Sequence, residues 1–477
     1  MIGFLAIDIG ASSGKAFVGK YGRNRLVLEE VHRFSNEPIH VAGSTHWNLI
    51  SLYKNVVESI KVASTLGIEI RSVGIDTWGV DFGLIDSSGS IQGDPRHYRD
   101  MFKDDSMDYA IKKAGKRWIF DRAPTQFQPF NTLYQLISLK RKNSRHLQKA
   151  DALLPMPSLL TYFLTGEKLT EFTFATTTQL FDPDRNDWSE ELIRFFDLPD
   201  IMTPIVDPGE IAGELLPSVA EELGIKGLKV ILPASHDTAS AVSSMDLSDD
   251  SMFVSAGTWC LEGVLIDKPS RNEDVIENNL ANEGCYGRRY RLLKNLTGLW
   301  LVQELLREWK KSNPNLDHFA LTEMALTVRS YERKIDVESE AFRKPRSMEK
   351  AILSEAEKLG ISLKNRGEIV RAAIEGIAYQ TEKTRKQLQS ITGRSIRNIR
   401  MVGGGIRNSL LCQLVSDYTG LPVVAGPAEG TATGNIIVQM LGLGELSDLS
   451  QAHDLIQRSF NFQEYTPKKL HFIQRNS

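Results

Sequence analysis

The chain has 477 residues, of which 41% are hydrophobic, and a formal net charge of -3. Its length predicts roughly two to four domains, and its balanced charge excludes a global field that attracts nucleic acid or an acidic membrane. The three cysteines are too few and too scattered for a disulfide framework, so buried thiols are expected. The amino terminus reaches Asp8 too soon for a signal peptide, and no apolar stretch approaches the roughly 20 residues of a membrane span, which favours a cytoplasmic protein.

The amino-terminal part of the chain predicts a series of strands interrupted by one helix. Apolar runs at 4–10, 15–21 and 25–34 are typical of three consecutive strands joined by tight turns. A helix is expected near 49–65. The run RSVGIDTWGVDFGLID at 71–86 favours one long buried strand.

The pattern of three strands recurs later in the chain. Helical patterns dominate 131–200, and the segment 229–242 is typical of a strand, a turn and the start of a helix. Strand patterns at 253–267 and 288–295 then repeat the opening arrangement with different residues, which indicates a structural duplication. The acidic connection at 245–251 is the expected hinge. The predicted domains are therefore 1–246, carrying the sugar site and the catalytic base, and 247–477, carrying the nucleotide site.

Two helices after the expected hinge are predicted from apolar residues at helical spacing. The helix at 297–311 has Thr297 as its expected N-cap, and the helix at 406–420 is expected to end at Gly420. Both apolar stripes are more typical of core packing than of cofactor binding.

The segment DIGASSGK at 8–15 combines a carboxylate with a glycine turn. Phosphate chemistry favours this combination, because glycine lets backbone N–H groups approach oxygen and a carboxylate can hold Mg²⁺. We expect Asp8 to hold Mg²⁺ through water, with the turn from Gly10 to Gly14 close to phosphate. The segment is not a P-loop, because its glycines are one residue too close and a strand follows it. On this segment alone, an ordinary hairpin is an equally good interpretation. Further candidate phosphate contacts in the segment are Ser12, Ser13 and Lys15.

Two more glycine turns lie in the second half of the chain. Gly257 and Thr258 lie between two predicted strands and are suited to approach the terminal phosphates of a nucleotide. The segment MVGGGIRN, with Gly403 and Gly404, predicts a strand, a glycine cluster and a helix start, an arrangement that lets backbone N–H groups meet phosphate. A plain tight turn is the alternative interpretation of each.

The segment GIDTWGVDFG at 74–83 is the candidate sugar site. Asp76, Trp78, Gly79 and Asp81 lie where a small polyol can be hydrogen-bonded and stacked. The letters D-F-G within the segment do not indicate a protein kinase, because the sequence has neither a GxGxxG loop nor an HRDxxxxN loop.

The segment ASHDTASA at 234–241 is the candidate catalytic motif. It ends a predicted strand and begins a helix, with Asp237 at the junction. A carboxylate there can accept the proton of a hydroxyl that attacks phosphate. The local sequence by itself favours a helix cap instead, because Asp is a preferred N-cap residue.

A set of motifs along nearly the whole chain resembles the FGGY carbohydrate kinases: DIGASSGK, GIDTWGVDFGLID, PFNTLYQL, ATTTQLFD, SHDTASAV, SAGTW, LKNLTGLWLVQE and GGGIRN. The resemblance implies an α/β fold with two actin-like domains, RNase H-like as in hexokinase and Hsp70-type ATPases, around a central cleft. It implies transfer of the γ-phosphate of MgATP to a sugar hydroxyl. Within the family, the motifs are most similar to those of members that phosphorylate L-rhamnulose at its 1-hydroxyl.

The resemblance also implies roles for individual residues. Asp237 matches the proton acceptor of the family. The residues that match its sugar contacts are Gly79, His236, Thr238 and Asn295. The residues that match its ATP contacts are Ala11, Ser12, Ser13, Gly14, Lys15, Thr258, Gln303 and Gly404. The chain departs from the family pattern at Arg122-Ala123-Pro124 and at Asn48, which follows Trp47 where Asp is usual, and EGTATGN at 429–435 fits the nucleotide side.

The expected cofactors are thus ATP and Mg²⁺, and the expected partner is a small sugar. Alternatives within the same class are an L-fuculose kinase or a kinase for another deoxyketose or pentulose. Alternatives from other classes are an actin-like or Hsp70-like ATPase and a sugar sensor without catalysis. No nucleic acid or membrane partner is expected, and the chain is expected to be a monomer or a homodimer.

Overall fold

The computed structural model describes residues 1–343 and 345–470. These residues form two compact units, each made of segments that are distant in sequence. Unit one consists of Met1–Asp246, Ile266–Leu292 and Gly430–Phe460. Unit two consists of Leu247–Leu265, Leu293–Glu429 and the chain from Asn461 onward. The division into 1–246 and 247–477 stays a prediction of domain organisation.

The strands and helices follow one another in mixed order along the chain. The strands are β1 (Ile2–Ile9), β2 (Ser13–Gly22), β3 (Arg25–Ser35), β4 (Ile39–Val41), β5 (Ser44–His46), β6 (Glu69–Thr77), β7 (Phe82–Asp86), β8 (Ala150–Pro155), β9 (Thr170–Glu171), β10 (Phe181–Asp182), β11 (Asp187–Trp188), β12 (Ile205–Val206), β13 (Ile211–Glu214), β14 (Lys229–Ile231), β15 (Ser251–Ala256), β16 (Trp259–Ile266), β17 (Ala281–Gly284), β18 (Tyr290–Thr297), β19 (Asn398–Val402), β20 (Val423–Ala425) and β21 (Gln463–Tyr465). The α-helices are α1 (Leu49–Ser64), α2 (Ser106–Ala114), α3 (Lys116–Arg122), α4 (Thr132–Arg141), α5 (Arg145–Lys149), α6 (Met156–Thr165), α7 (Phe172–Ala175), α8 (Glu190–Phe195), α9 (Pro217–Leu223), α10 (Asp237–Ser243), α11 (Glu273–Glu277), α12 (Trp300–Trp309), α13 (His318–Leu326), α14 (Met348–Lys358), α15 (Arg366–Thr392), α16 (Ser409–Thr419), α17 (Gly430–Gly442) and α18 (Leu449–Ser459). Short 3₁₀ helices lie at Tyr98–Lys103, Tyr286–Arg288, Glu340–Phe342 and Gly404–Arg407.

The sheet of unit one has the order β3-β2-β1-β6-β14-β13. Strands β1, β2 and β3 form an antiparallel meander, whereas β6 pairs with β1 and β14 pairs with β6 in parallel. The parallel register places Asp8 of β1 directly beside Asp76 of β6, and the antiparallel register places Asp8 beside Lys15 of β2. Two carboxylates therefore lie side by side near the carboxyl ends of parallel strands.

The sheet of unit two repeats this topology. The seven strands of this sheet have the order β17-β18-β16-β15-β19-β20-β21. Strand β15 is antiparallel to β16 and parallel to β19, and β20 follows β19 in parallel. In both sheets, a strand with an antiparallel neighbour on one side has two parallel strands on its other side, which are β6 and β14 in unit one and β19 and β20 in unit two. This confirms the predicted α/β fold with a duplicated meander.

The late helix α17 packs on the sheet of unit one through polar as well as apolar groups. Gln439 donates to the carbonyl oxygen of Leu5 (2.9 Å) and accepts from the hydroxyl of Ser72 (2.6 Å). At Gly434, an added Cβ would lie 1.7 Å from the carbonyl oxygen of Ser240 on α10. A glycine is therefore required for the two helices to cross this closely.

Two local predictions differ from the structure. The run at 71–86 forms two strands instead of one, because the chain turns between Thr77 and Phe82 with Val80 at a left-handed φ of 67°. Thr297 ends β18 and is not an N-cap, since α12 begins at Trp300 after Leu299. The predicted end of α16 is confirmed, with Gly420 in the left-handed conformation.

The three cysteines are buried free thiols, as predicted. No helix among residues 1–343 and 345–470 is both long enough and apolar enough to cross a bilayer.

Glu262 is a buried acid in the core of unit two. It lies on β16 with no exposed surface, and its Oε1 accepts from the hydroxyl of Thr381 on α15 (2.5 Å). Its Oε2 is buried and accepts no hydrogen bond from the described part of the chain. Burial raises the pKa of Glu262 from its ordinary value of 4.5 to about 7. The stability that the folded state gains from the protonated acid is thus fully present below pH 4.5 and is lost as the pH rises to about 7.

The change Glu262→Gln should therefore stabilise the protein more at pH 8 than at pH 5. We expect the gain in the free energy of unfolding to be about 2–3 kcal/mol larger at the higher pH, because the amide cannot ionise. Urea unfolding at both pH values measures this difference, and Glu357→Gln on the exposed face of α14 is the matched control. An equal effect at both pH values would contradict the raised pKa.

Candidate active site

The loop between β14 and α10 is held in place by a buried acid. Glu171 has no exposed surface, and its Oε2 accepts from the backbone N–H of Ser235 (2.9 Å). The same carboxylate accepts from the hydroxyl of Thr173, which in turn accepts from the N–H of His236 (3.2 Å). Burial raises the pKa of Glu171 to about 7, because the hydrogen bonds offset only part of the cost of desolvation. The backbone of the SHDT motif is thereby fixed.

Asp237 is the first residue of α10 and follows the cap position, which His236 occupies. Its Oδ1 accepts from the backbone N–H (2.5 Å) and the hydroxyl (3.1 Å) of Thr238. The side chain keeps 32% of its surface exposed. Burial raises the pKa of Asp237, and hydrogen bonds from Thr238 and the charge of Arg291 counteract this in part. An accessible carboxylate with a raised pKa is suited to accept a proton.

His236 lies between two charged residues and the carboxylate of Asp237. Its Nδ1 is 3.1 Å from Nη2 of Arg291 and 3.4 Å from Oε2 of Glu283, and its Nε2 is 3.4 Å from Oδ1 of Asp237. Burial, with the nearby charge of Arg291, lowers the pKa of His236 well below its ordinary value. The imidazole is therefore neutral at physiological pH.

Gly79 connects the predicted sugar segment to this histidine. A Cβ at Gly79 would lie 3.3 Å from Oγ1 of Thr177 and 3.4 Å from Nε2 of His236. The structure thus brings together Gly79, His236, Asp237 and Thr238, which the sequence predicted as sugar contacts and catalytic base. Asn295, the remaining residue of that prediction, lies in the part of β18 that belongs to unit two.

Asp81 is fully buried and holds an aromatic pair in place. Its Oδ2 accepts from Nε1 of Trp47 (2.7 Å), Nε1 of Trp78 (3.0 Å) and the N–H of Tyr98 (3.2 Å), and its Oδ1 accepts from Nε2 of Gln135 (2.8 Å). The two indole rings lie 3.9 Å apart. Desolvation outweighs these hydrogen bonds and raises the pKa of Asp81 to about 6. The carboxylate oxygens predicted to contact sugar are thus occupied within the protein.

The buried Asp76 forms an acidic pair with the half-buried Asp8. Asp76 has no exposed surface, and its Oδ2 accepts from Nδ2 of Asn435 (2.5 Å). No described donor reaches its Oδ1, which is also buried. Burial raises the pKa of Asp76 well above its ordinary range, and the neighbouring charges of Asp8 and Asp237 raise it further. A cation placed among these oxygens would relieve both the repulsion and the missing hydrogen bond.

The predicted phosphate turn is a tight hairpin between β1 and β2. The N–H of Gly10 donates to the carbonyl oxygen of Ser13 (2.9 Å), and Nδ2 of Asn36 donates to the carbonyl oxygen of Gly10 (2.8 Å). At Gly14, an added Cβ would lie 2.1 Å from the ring of Phe34, so packing alone requires this glycine. The predicted contacts at or beside the tip of the turn are Ala11, Ser12, Ser13 and Lys15, of which Ser12 is exposed.

The predicted nucleotide residues of unit two lie together. Oγ1 of Thr258 donates to Oε1 of Gln303 (3.1 Å), and the carbonyl oxygen of Gly257 accepts from the N–H of Leu299 (2.8 Å). Gly403 has a φ of 85°, and a Cβ there would lie 2.7 Å from the carbonyl oxygen of Ala256, next to Gly257. A Cβ at Gly404 would meet no atom within 4 Å, so its backbone is open to a ligand.

Several functional residues were missed at the level of sequence. Glu171 and Glu283, which lie near the SHDT motif, belong to segments for which no motif was recognised, and Arg291 belongs to a segment that was predicted only as a strand. Asn435 lies in EGTATGN, which the sequence assigned to the nucleotide side, yet it bonds to Asp76 within unit one. One available signal was the charge of Arg291 inside the apolar strand run YRLL, since a buried arginine needs an acidic or acceptor partner.

Known proteins resemble this chain along its whole length. Models described as the N-terminal and C-terminal domains of the FGGY family of carbohydrate kinases match residues 3–243 and 252–443. A rhamnulokinase of Oceanobacillus iheyensis is 36% identical over 97% of each chain, and one of Halalkalibacterium halodurans is 37% identical over 97% of this chain and 98% of its own. The crystal structure of a ligand-bound xylulose kinase from Lactobacillus acidophilus superposes with a TM-score of 0.80 at 17% identity, covering 98% of this chain and 94% of its own, which shows a shared fold.

Replacing Asp81 tests its role as the acceptor that orients both indoles. Asp81→Asn turns one acceptor oxygen into a donor and leaves at least one buried N–H unsatisfied, which should lower the free energy of unfolding by about 1–3 kcal/mol. Tryptophan emission should shift at the same time. The control Asp86→Asn, at the far end of β7, keeps an oxygen for the N–H groups of Ser88 and Ser90. Equal losses in the two variants would contradict the assignment.

Proposed function

Because this chain belongs to the FGGY family of carbohydrate kinases, we propose that it transfers the γ-phosphate of ATP to the 1-hydroxyl of L-rhamnulose. The observation that carries this proposal is the identity of 36–37% to two rhamnulokinases over nearly the full length of the chain. The products would be L-rhamnulose 1-phosphate and ADP. The matching local feature is the accessible carboxylate of Asp237 beside a neutral His236.

Asp237 would act as the general base. The sugar oxygen would form a bond to the γ-phosphorus while the bond from that phosphorus to the β,γ-bridging oxygen breaks, and ADP would leave with the electron pair. The proton of the attacking hydroxyl would go to Asp237, whose raised pKa favours its acceptance. The fixed backbone of the SHDT loop would keep the carboxylate in place while this happens.

The sugar would be bound mainly by residues beside the base. Gly79 has no side chain that would fill the space next to His236, and Thr238 lies in the first turn of α10 beside Asp237. Asn295 is a further proposed contact. For Trp78 and Asp81, the structure favours a supporting role, since Asp81 fixes the indole of Trp78.

ATP is the phosphate donor of this family. One set of proposed contacts consists of Ala11, Ser12, Ser13, Gly14 and Lys15. A second set consists of Gly257, Thr258, Gln303, Gly403 and Gly404. The open backbone at Gly404 and the pair of Thr258 with Gln303 support the second set.

The acidic pair of Asp8 and Asp76 fits a magnesium ion. No cluster of three or more ligating side chains occurs in the described part of the chain. Magnesium at phosphate sites commonly uses only one or two carboxylates, and the remaining ligands are water and phosphate oxygens. Asp8 would hold the ion, with Asp76 beside it. When bound, Mg²⁺ would supply positive charge to the phosphate oxygens.

We place the reaction in the cytoplasm, where ATP is abundant and thiols such as the three buried cysteines stay reduced. Monomer or homodimer remains the expected assembly.

A panel of ketoses with ATP tests the substrate. We expect L-rhamnulose to give the highest kcat/KM, measured by coupled ADP release, with L-fuculose, L-xylulose and D-ribulose as competitors. If another ketose had a higher kcat/KM than L-rhamnulose, that ketose would be assigned as the substrate instead. If none of these sugars increased the rate of ADP release, the result would contradict kinase activity toward the ketoses of this panel.

The base is tested by Asp237→Asn. We expect kcat to fall by about 10²–10⁴-fold, the range typical of a lost general base, while ATP affinity changes little. Asp246→Asn, a carboxylate that follows α10, is the control. Near-normal turnover in Asp237→Asn would remove Asp237 from the mechanism.

A further inference from the structure

Arg291 is a buried cation that the proposed chemistry does not use directly. We infer that Arg291 is a positioning residue that keeps the proton of His236 on Nε2, so that the imidazole presents a hydrogen-bond donor toward Gly79 and Asp237. This inference deepens the proposed function and rests on it for the identity of the sugar, but the proton position can be measured without any substrate.

The guanidinium of Arg291 is oriented by three acceptors in unit one. Its side chain has no exposed surface, and its Nε donates to the carbonyl oxygen of Gly284 (3.0 Å). Its Nη2 lies 3.2 Å from Oε2 of Glu283 and 3.1 Å from Nδ1 of His236. The two N–H groups of Nη2 can therefore serve one acceptor each.

This arrangement determines which ring nitrogen carries the proton. An arginine cannot accept a hydrogen bond, so a short contact with its Nη2 requires Nδ1 of His236 to be the acceptor. The neutral ring then has its proton on Nε2. Glu283 lies 3.4 Å from Nδ1, but it already accepts from Arg291 and does not need a proton from the imidazole.

The position of Nε2 gives this proton a function. Nε2 lies 3.4 Å from Oδ1 of Asp237, and a Cβ at Gly79 would come equally close to it. With the opposite tautomer, a lone pair on Nε2 would face the carboxylate of Asp237 and would repel it. With the proton on Nε2, the ring can donate to an oxygen of a ketose bound at Gly79.

The charges around His236 agree with a neutral ring. Arg291 and Glu283 face its Nδ1 side and Asp237 faces its Nε2 side, while Glu171 binds the backbone N–H of Ser235 next to it. Burial and Arg291 both disfavour the protonated ring. Glu283 thus pairs with the positive charge of Arg291, and the imidazole of His236 stays uncharged.

The first test is the tautomer of His236 in the intact protein. Long-range ¹H–¹⁵N correlation spectra of histidine-labelled protein distinguish the two tautomers and the imidazolium, and His236→Gln identifies the signal among nine histidines. We expect a protonated Nε2 and a bare Nδ1 from pH 6 to pH 9. A proton on Nδ1, or an imidazolium, in the wild-type protein would overturn the inference. This measurement needs no variant at Arg291.

The second test removes the donor. The double change Arg291→Met and Glu283→Gln deletes the cation without leaving an unpaired buried carboxylate, and it should move the proton of His236 toward Nδ1. Glu283→Gln alone keeps Arg291 and should keep the proton on Nε2. The matched control is Arg289→Met, which removes an arginine that pairs with Asp267 at the surface. An unchanged tautomer in the double variant would reduce Arg291 to a structural role.

Kinetics separate this inference from the proposed function. We expect the double variant to raise KM for the ketose by about 10- to 100-fold, with KM for ATP unchanged, as for the loss of a hydrogen bond to a buried group. A parallel rise in both KM values would indicate a general structural defect and would contradict the inference. If the wild-type enzyme phosphorylated no ketose, the proposed function would fail, and the tautomer spectra would still decide whether Arg291 acts on His236.

Discussion

Asp8 and Asp76 form the acidic centre of unit one, and this centre depends on the buried hydrogen bond between Asn435 and Asp76. Asp76 has no exposed surface and lies beside Asp8, so its carboxylate would otherwise be desolvated and repelled without compensation. Asn435 supplies one donor to Oδ2, and Oδ1 accepts no hydrogen bond from the described part of the chain. The helix that carries Asn435 is itself held by Gln439 and by the close crossing at Gly434. The electrostatics of the centre thus depend on helix packing that is tight enough to exclude a methyl group.

The site uses burial to set opposite protonation tendencies in adjacent groups. Desolvation raises the pKa of the acids Asp76, Asp237 and Glu171, and it lowers the pKa of the base His236. All four groups are thereby shifted toward their neutral forms. Hydrogen bonds from the hydroxyl and the backbone N–H of Thr238, together with the charge of Arg291, partly offset this shift at Asp237. Asp237, whose side chain is partly exposed, can therefore exchange a proton in a region that otherwise disfavours charged groups.

Much of the fold could be predicted because its strands are short apolar runs bounded by turns. The meander β1 to β3 and its counterpart β15, β16 and β18 were found in this way, and the SHDT motif was placed correctly at a strand-to-helix junction. The break after Thr77 was missed because Val80 adopts a left-handed conformation that no residue type there signals. Arg291 and Glu283 were missed because their importance comes from distant partners, which local periodicity does not reveal.

The return of residues 430–460 to unit one has a consequence for synthesis on the ribosome. The first 246 residues emerge long before α17. Until α17 is made, its residues Asn435 and Gln439 cannot form their hydrogen bonds to Ser72, Leu5 and Asp76. Until then, the face of the sheet that α17 covers is exposed to water. The amino-terminal segment therefore cannot reach its final packing before α17 has been synthesised, and the acidic centre cannot form before then.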